Sequence, residues 1–177
     1  MLRSVNVGLP QPLATHKGDV QSGIIKTPVA GRVRAHRLGL AGDGQADLTV
    51  HGGPDKAVYA YSHDHYPLWA RELGRADLGP GFFGENLTVD GMLESDVRIG
   101  DIYRIGSAVV QVTQPRSPCF KLTAHLGLPG FAKTFLASGR SGFYLRVLEE
   151  GDVGAGDAVE LISSPPSGFT VLEASRR

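Results

Sequence analysis

The sequence predicts a mainly β fold: a small β-barrel with a few short helices. Three observations carry this expectation. The chain has 24 glycines and 11 prolines in 177 residues, which punctuates it too often for long helices. Its apolar stretches are short and rich in β-branched and aromatic residues, as strands are. Helix signals occur at only a few places. Many short strands with few helices favour a barrel-centred architecture, and closure of a barrel would leave no exposed strand edge.

Val5 and Val7 open the first strand, which Pro10 and Pro12 close. Ile24 to Val29 reads as a second strand, with Pro28 marking an edge or an end. Arg32 to Leu38 shows partial alternation, and residues 39–45 read as loop. Ala57 to Tyr61 has the composition of a buried strand. Ser62 then looks like the N-cap of a helix running through Tyr66, Trp69, Ala70 and Leu73 to Gly74, and Pro67 is tolerated in its first turn. Further strands are expected at 86–89, 102–105 and 109–113. A short helix follows Cys119, a second runs from Phe131 to Leu136, and the last strands lie at 143–148 and 158–162. The expected organisation is one domain over residues 1–163 and a C-terminal tail or linker over 164–177, because Pro165, Pro166 and Gly168 interrupt any regular pattern.

The charge balance is 18 basic against 18 acidic residues, so the footprint of a general nucleic-acid binder is missing. A single cysteine excludes a disulfide framework and a multi-cysteine metal site. The first residues show no signal-peptide pattern, and no apolar run is long enough to span a bilayer. A cytoplasmic protein with a free thiol, acting on neither membranes nor nucleic acid, is the expectation.

Cys119 is the first candidate functional residue. Positive charge and a helix start both favour the thiolate form, and Arg116 and Lys121 flank it. The same residue also suits a buried core position as a small hydrophobe, and local features leave the two readings level. The second candidate segment is Asp47 to Lys56. Gly52 and Gly53 allow close approach to backbone N–H groups, and His51 and Lys56 suit an oxyanion. Read alone, this segment is better explained as a tight turn with a solvated lysine. The third is Phe83-Gly84-Glu85-Asn86, where Glu85 and Asn86 offer pocket-lining polar groups. The G-x-G-x-x-G pattern over residues 79–84 follows a helix and precedes a strand, which is the wrong order for dinucleotide binding. His63 and His65, in the first turn of a helix, point apart; a surface or capping role is expected rather than a shared metal.

Taken in order, Asp47, His51-Gly52-Gly53-Pro54-Asp55-Lys56-Ala57-Val58, Phe83-Gly84-Glu85-Asn86-Leu87, Ile99-Gly100-Asp101, Gln114-Pro115-Arg116-Ser117-Pro118-Cys119-Phe120-Lys121-Leu122 and Gly142-Phe143-Tyr144-Leu145-Arg146-Val147-Leu148 resemble the MOSC domain family, in its stand-alone bacterial YiiM-like type. The resemblance covers about residues 1–163. It implies a β-barrel and an association with the molybdenum cofactor, with Cys119 as the sulfur ligand to the metal. It also implies reduction of N-hydroxylated compounds, such as hydroxylaminopurine-type bases, to amines, with electrons from a donor reductase. Arg116, Lys121, His51 and Lys56, with the Gly52-Gly53 backbone, become candidates to hold the anionic pterin phosphate. Asn86, Glu85 and Arg146 become candidates to line the pocket. A sulfur carrier with a Cys119 persulfide and a non-catalytic cofactor carrier are the alternatives. YiiM-type proteins commonly continue into a small helical C-terminal domain, and the expectation from these residues is that it is absent.

Overall fold

The computed structural model describes residues 1–177. It is mostly sheet with few helices. The strands are β1 (Leu2–Val7), β2 (Gln11–Thr15), β3 (Gly18–Ser22), β4 (Thr27–Pro28), β5 (Arg32–His36), β6 (Gly39–Leu40), β7 (Val58–Ser62), β8 (Leu87–Val89), β9 (Ile102–Ile105), β10 (Ala108–Pro115), β11 (Phe143–Glu149), β12 (Gly151–Gly154) and β13 (Val159–Ser163). The helices are α1 (Tyr66–Leu73), α2 (Phe120–Leu126), α3 (Phe131–Ala137) and α4 (Val171–Ser175). None is long and apolar enough to cross a membrane.

Eight strands form one sheet in the order β13-β9-β10-β11-β7-β8-β1-β4. Only β7 and β8 run parallel, because α1 carries the chain across between them. The expected closed barrel does not form. Strand β5 pairs with β12 and β6 in a separate three-stranded sheet. The main sheet therefore keeps two edges, β13 and a β4 of two residues that ends on Pro28, a residue with no N–H to extend a ladder. The β2–β3 hairpin stands alone as a third sheet.

Most sequence-predicted elements are present, with corrections. The strand expected over 24–29 shrinks to Thr27–Pro28. The β2–β3 hairpin and β12 were not anticipated: β2 and β3 together bury only Leu13 and Ser22, so they lack a readable apolar alternation. Ser62 caps as expected, its hydroxyl accepting from Asp64 N, but over a short 3-10 turn (His63–His65) before α1. His65 is not at the surface; its Nε2 lies 2.7 Å from Glu94 Oε2 in the interior. Nor is segment 164–177 simply a tail. Thr170 and Glu173 build a capping box for α4, and Val171 is fully buried in the main core.

Two cores result. The larger lies among the sheets and is mainly aliphatic, from Leu2 and Val5 through Val110 and Leu145 to Val171. The smaller is aromatic, with Tyr59, Tyr61, Tyr66, Trp69, Phe83, Phe131 and Phe135 packed beneath α1, α2 and α3. Phe83 and Phe135 stack at 5.4 Å between centroids, within the range where aromatic pairs add to burial alone. The functional cleft opens beside this aromatic core.

Candidate functional site

Strand β10 ends at Pro115, and the chain turns through Arg116-Ser117-Pro118 into α2. Cys119 occupies the N-cap position with extended backbone and makes no capping hydrogen bond, so its thiol is not spent on the helix. It is half-buried, and its Sγ lies 4.0 Å from His51 Nε2. The cysteine is thus a cleft residue, not a core hydrophobe.

His51 reaches this point through a built turn. Asp47 Oδ1 accepts from Thr49 N at 3.0 Å and from Thr49 Oγ1 at 2.5 Å, and His51 N donates to Asp47 O at 2.9 Å. Those Thr49 bonds hold the Asp47 carboxyl below its ordinary value. Gly52 follows with φ 79° and no room for a side chain without crowding Leu48 and Gln45. Lys56 then hooks the loop by donating to Val50 O at 3.1 Å. Burial, and then the charges of Lys121, Lys56 and Arg116, push His51 below the ordinary histidine value. Beside Cys119 it is therefore a neutral imidazole at pH 7.

Arg116 is buried. Its Nη1 donates to Phe83 O at 2.7 Å, and its guanidinium lies 4.5 Å from the Tyr59 ring centroid. No carboxylate forms an ion pair with Arg116, Lys56 or Lys121. A buried cation without a counter-ion is costly, so this cleft is prepared for a negative group.

The cleft has two compartments. An inner one of about 60 Å³ is lined by Lys26, His51, Gly52, Lys56, Tyr59, Asn86, Arg116, Cys119, Lys121 and Tyr144, among others. An outer one of about 590 Å³ adds Val20, Asp47, Val50, Pro118 and Phe120. Cys119, His51, Lys56 and Lys121 stand on the wall common to both. The outer volume falls in the range of small-molecule sites.

Of the sequence-predicted site residues, Cys119, Arg116, Lys121, His51, Gly52, Lys56 and Asn86 converge here. Three do not line either compartment. Gly53 serves instead as the N-cap of a 3-10 turn, Pro54–Lys56. Arg146 pairs with Asp55, Nη2 to Oδ1, at 2.5 Å. Glu85 is wholly buried and accepts from Gly81 N, Phe83 N, Thr88 Oγ1 and the Tyr66 hydroxyl; burial pushes its carboxyl up and these donors pull it back. Asn86 touches the cleft, yet its amide is committed to Tyr59 N, Asn6 O and Asp43. Residues missed by the sequence reading are Lys26, Asp43, Tyr59 and Tyr144. Lys26 follows two isoleucines and Asp43 sits between two glycines, so both read as ordinary strand and turn residues.

No three His, Cys, Asp or Glu side chains converge on a possible metal position. Cys119 is therefore a single soft donor among cations. That donor set fits a metal that brings its own anionic chelate.

The MOSC domain family model matches residues 47–160. Protein YiiM of Escherichia coli is 42% identical over 174 residues, covering 93% of this chain and 77% of that one. Protein YflK of Bacillus subtilis, uncharacterised, is 47% identical over 173 residues, covering 98% and 78%. A protein of Gibberella moniliformis named a reductase is 38% identical over 162 residues, covering 90% of this chain but only 29% of its own length. The crystal structure of YiiM from Geobacillus stearothermophilus superposes with a TM-score of 0.82 at 37% identity, covering 99% and 82%. With the family match spanning most of the chain and the fold shared with YiiM, this protein belongs to the MOSC domain family.

Proposed function

We propose that the protein binds the molybdenum cofactor and reduces N-hydroxylated compounds, such as hydroxylaminopurine-type bases, to amines. The observation that carries this is Cys119: a half-buried, uncapped thiol on the wall shared by two compartments, 4.0 Å from His51, among cations without carboxylate partners. Association of the family with the molybdenum cofactor supports the reading, as does a relative named a reductase.

Cys119 would supply a thiolate ligand, and Arg116, Lys56 and Lys121 would hold the anionic part of the group. Bound there, the cofactor supplies the two-electron redox chemistry. Neutral His51 is placed to take the thiol proton as Cys119 becomes a thiolate. Tyr59 and Tyr144 give the inner compartment an aromatic wall. An electron-donor reductase belongs to the proposal, because the reduction consumes two electrons.

Comparison of the parent with Cys119→Ser tests this, using protein made in a host that synthesises the cofactor. Molybdenum content and hydroxylamine reduction should both fall to background in the variant. Retention of both would refute the assignment. Loading of one sulfur atom onto Cys119 by a cysteine desulfurase, with no molybdenum bound, would favour the sulfur-carrier reading instead.

A further inference from the structure

Reducing R–NH–OH to R–NH2 and water takes two protons as well as two electrons. The departing hydroxyl must be protonated as the N–O bond breaks. An inner compartment of about 60 Å³ holds at most a few waters, so a fixed protein group is the better-positioned acid there.

The lining groups narrow quickly. Arg116 keeps its proton at any working pH. Tyr59 and Tyr144 are both pushed above the ordinary tyrosine value by burial, and the Tyr59 hydroxyl is spent on Ser141 O at 2.7 Å. His51 is set against the Cys119 thiol, its Nε2 4.0 Å from Sγ, and is assigned above to that proton. Lys56 and Lys121 line both compartments and are assigned above to the anionic group. Lys26 lines the inner compartment alone.

Lys26 is also held in place. Its Nζ lies 2.6 Å from Asp43 Oδ1, with the two side chains only 3% and 4% exposed. Asp43 is itself fixed from two further sides: Gly8 N donates to its Oδ1 at 2.9 Å and Asn86 Nδ2 to its Oδ2 at 3.0 Å. One of the three ammonium hydrogens meets Asp43. The charged groups facing Lys26 are Asp43 and Arg116. Burial lowers the Lys26 pKa, Asp43 offsets part of this, and Arg116 lowers it further.

The geometry points to Lys26 as the general acid of the inner compartment, with Asp43 as its positioning residue. This rests on the reductase reading above. As the N–O bond accepts two electrons from the electron-donor protein, the hydroxyl oxygen takes the Lys26 proton and leaves as water. The nitrogen keeps the electron pair and takes a second proton from solvent, giving the amine, and Lys26 is reprotonated from solvent.

Two measurements test the assignment. In the first, the side-chain ammonium of Lys26 is titrated by NMR in the labelled full-length chain, its signal identified by its loss in Lys26→Arg. A titration below the ordinary lysine range, moving lower still in Asp43→Asn, is expected. A Lys26 that titrates like a surface lysine overturns the proposal whatever turnover shows. In the second, kcat and KM for a hydroxylamine are followed against pH in cofactor-loaded parent, Lys26→Arg and Lys26→Gln. Both variants should lose kcat by about 100-fold or more, keep KM within a few-fold, and lose the fall in kcat at high pH. Small primary ammonium ions should restore part of the rate to Lys26→Gly. Parent turnover with an unchanged rate and pH profile in Lys26→Arg overturns the acid role and leaves the reductase reading standing. No turnover in a molybdenum-loaded parent overturns both.

Discussion

Cys119 Sγ and His51 Nε2 lie 4.0 Å apart although 68 residues of chain separate them. The pair joins the first two candidate segments of the sequence, which no local pattern linked. It sets a free thiol beside a turn histidine on the wall common to the two compartments.

The environment of His51 is dominated by burial, and among charges Lys121 contributes most. Replacing Lys121 with methionine removes a cation that opposes imidazolium formation, so the His51 pKa should rise toward its ordinary value of 6.5. Proton NMR of the His51 ring against pH reads this directly. An unchanged or lower value in Lys121→Met would contradict the described geometry.

Arg116 lacks a carboxylate partner, so anions should stabilise the fold through it. Sulfate at about a hundredfold excess over its Kd would contribute about 2.7 kcal/mol. For a chain of this length that is about 5–11 °C in Tm. Arg116→Gln should lose most of this gain. Equal sulfate dependence in parent and variant would place the anion elsewhere.

Glu85 answers two backbone N–H groups and two hydroxyls inside the protein. Glutamine would turn an N–H toward a donor and leave it unsatisfied. Glu85→Gln should therefore cost about 1–3 kcal/mol in urea denaturation, while the alkylation rate of Cys119 stays unchanged. A stable variant with an altered thiol would move Glu85 into the cleft machinery.

Val171 anchors α4 in the main core at full burial. Val171→Ala should destabilise by about 2 kcal/mol, combining lost transfer energy with a small cavity. If chemical denaturation shows no loss, α4 is not integral to the fold.

The strands that read clearly in the sequence were those with a buried face. All five residues of β7 are buried, and β5 alternates out and in. Strands β2 and β3 bury almost nothing, so composition carried no trace of them, yet Val20 and Gln21 from this hairpin wall the outer cleft. The helix expected after Cys119 is present, and Gly127 stops it in the left-handed conformation. Glu85 and Arg146 were read as pocket residues from their positions in the family motifs and their polar chemistry. Their actual partners, Tyr66 and Asp55, lie 19 and 91 residues away, beyond any local pattern.

By itself the sequence determined a mostly β chain with few helices, its membership signals in ordered motifs, and the importance of Cys119. These depend on local composition and on residues near one another along the chain. Tertiary structure alone decided that the sheet stays open, that β5 pairs in a separate sheet, and that α4 belongs to the core. It also decided the company Cys119 keeps: His51 beside it, Arg116 without a counter-ion, and Lys26 set by Asp43. Those relationships depend on which buried groups find partners, and only packing of the whole chain assigns them.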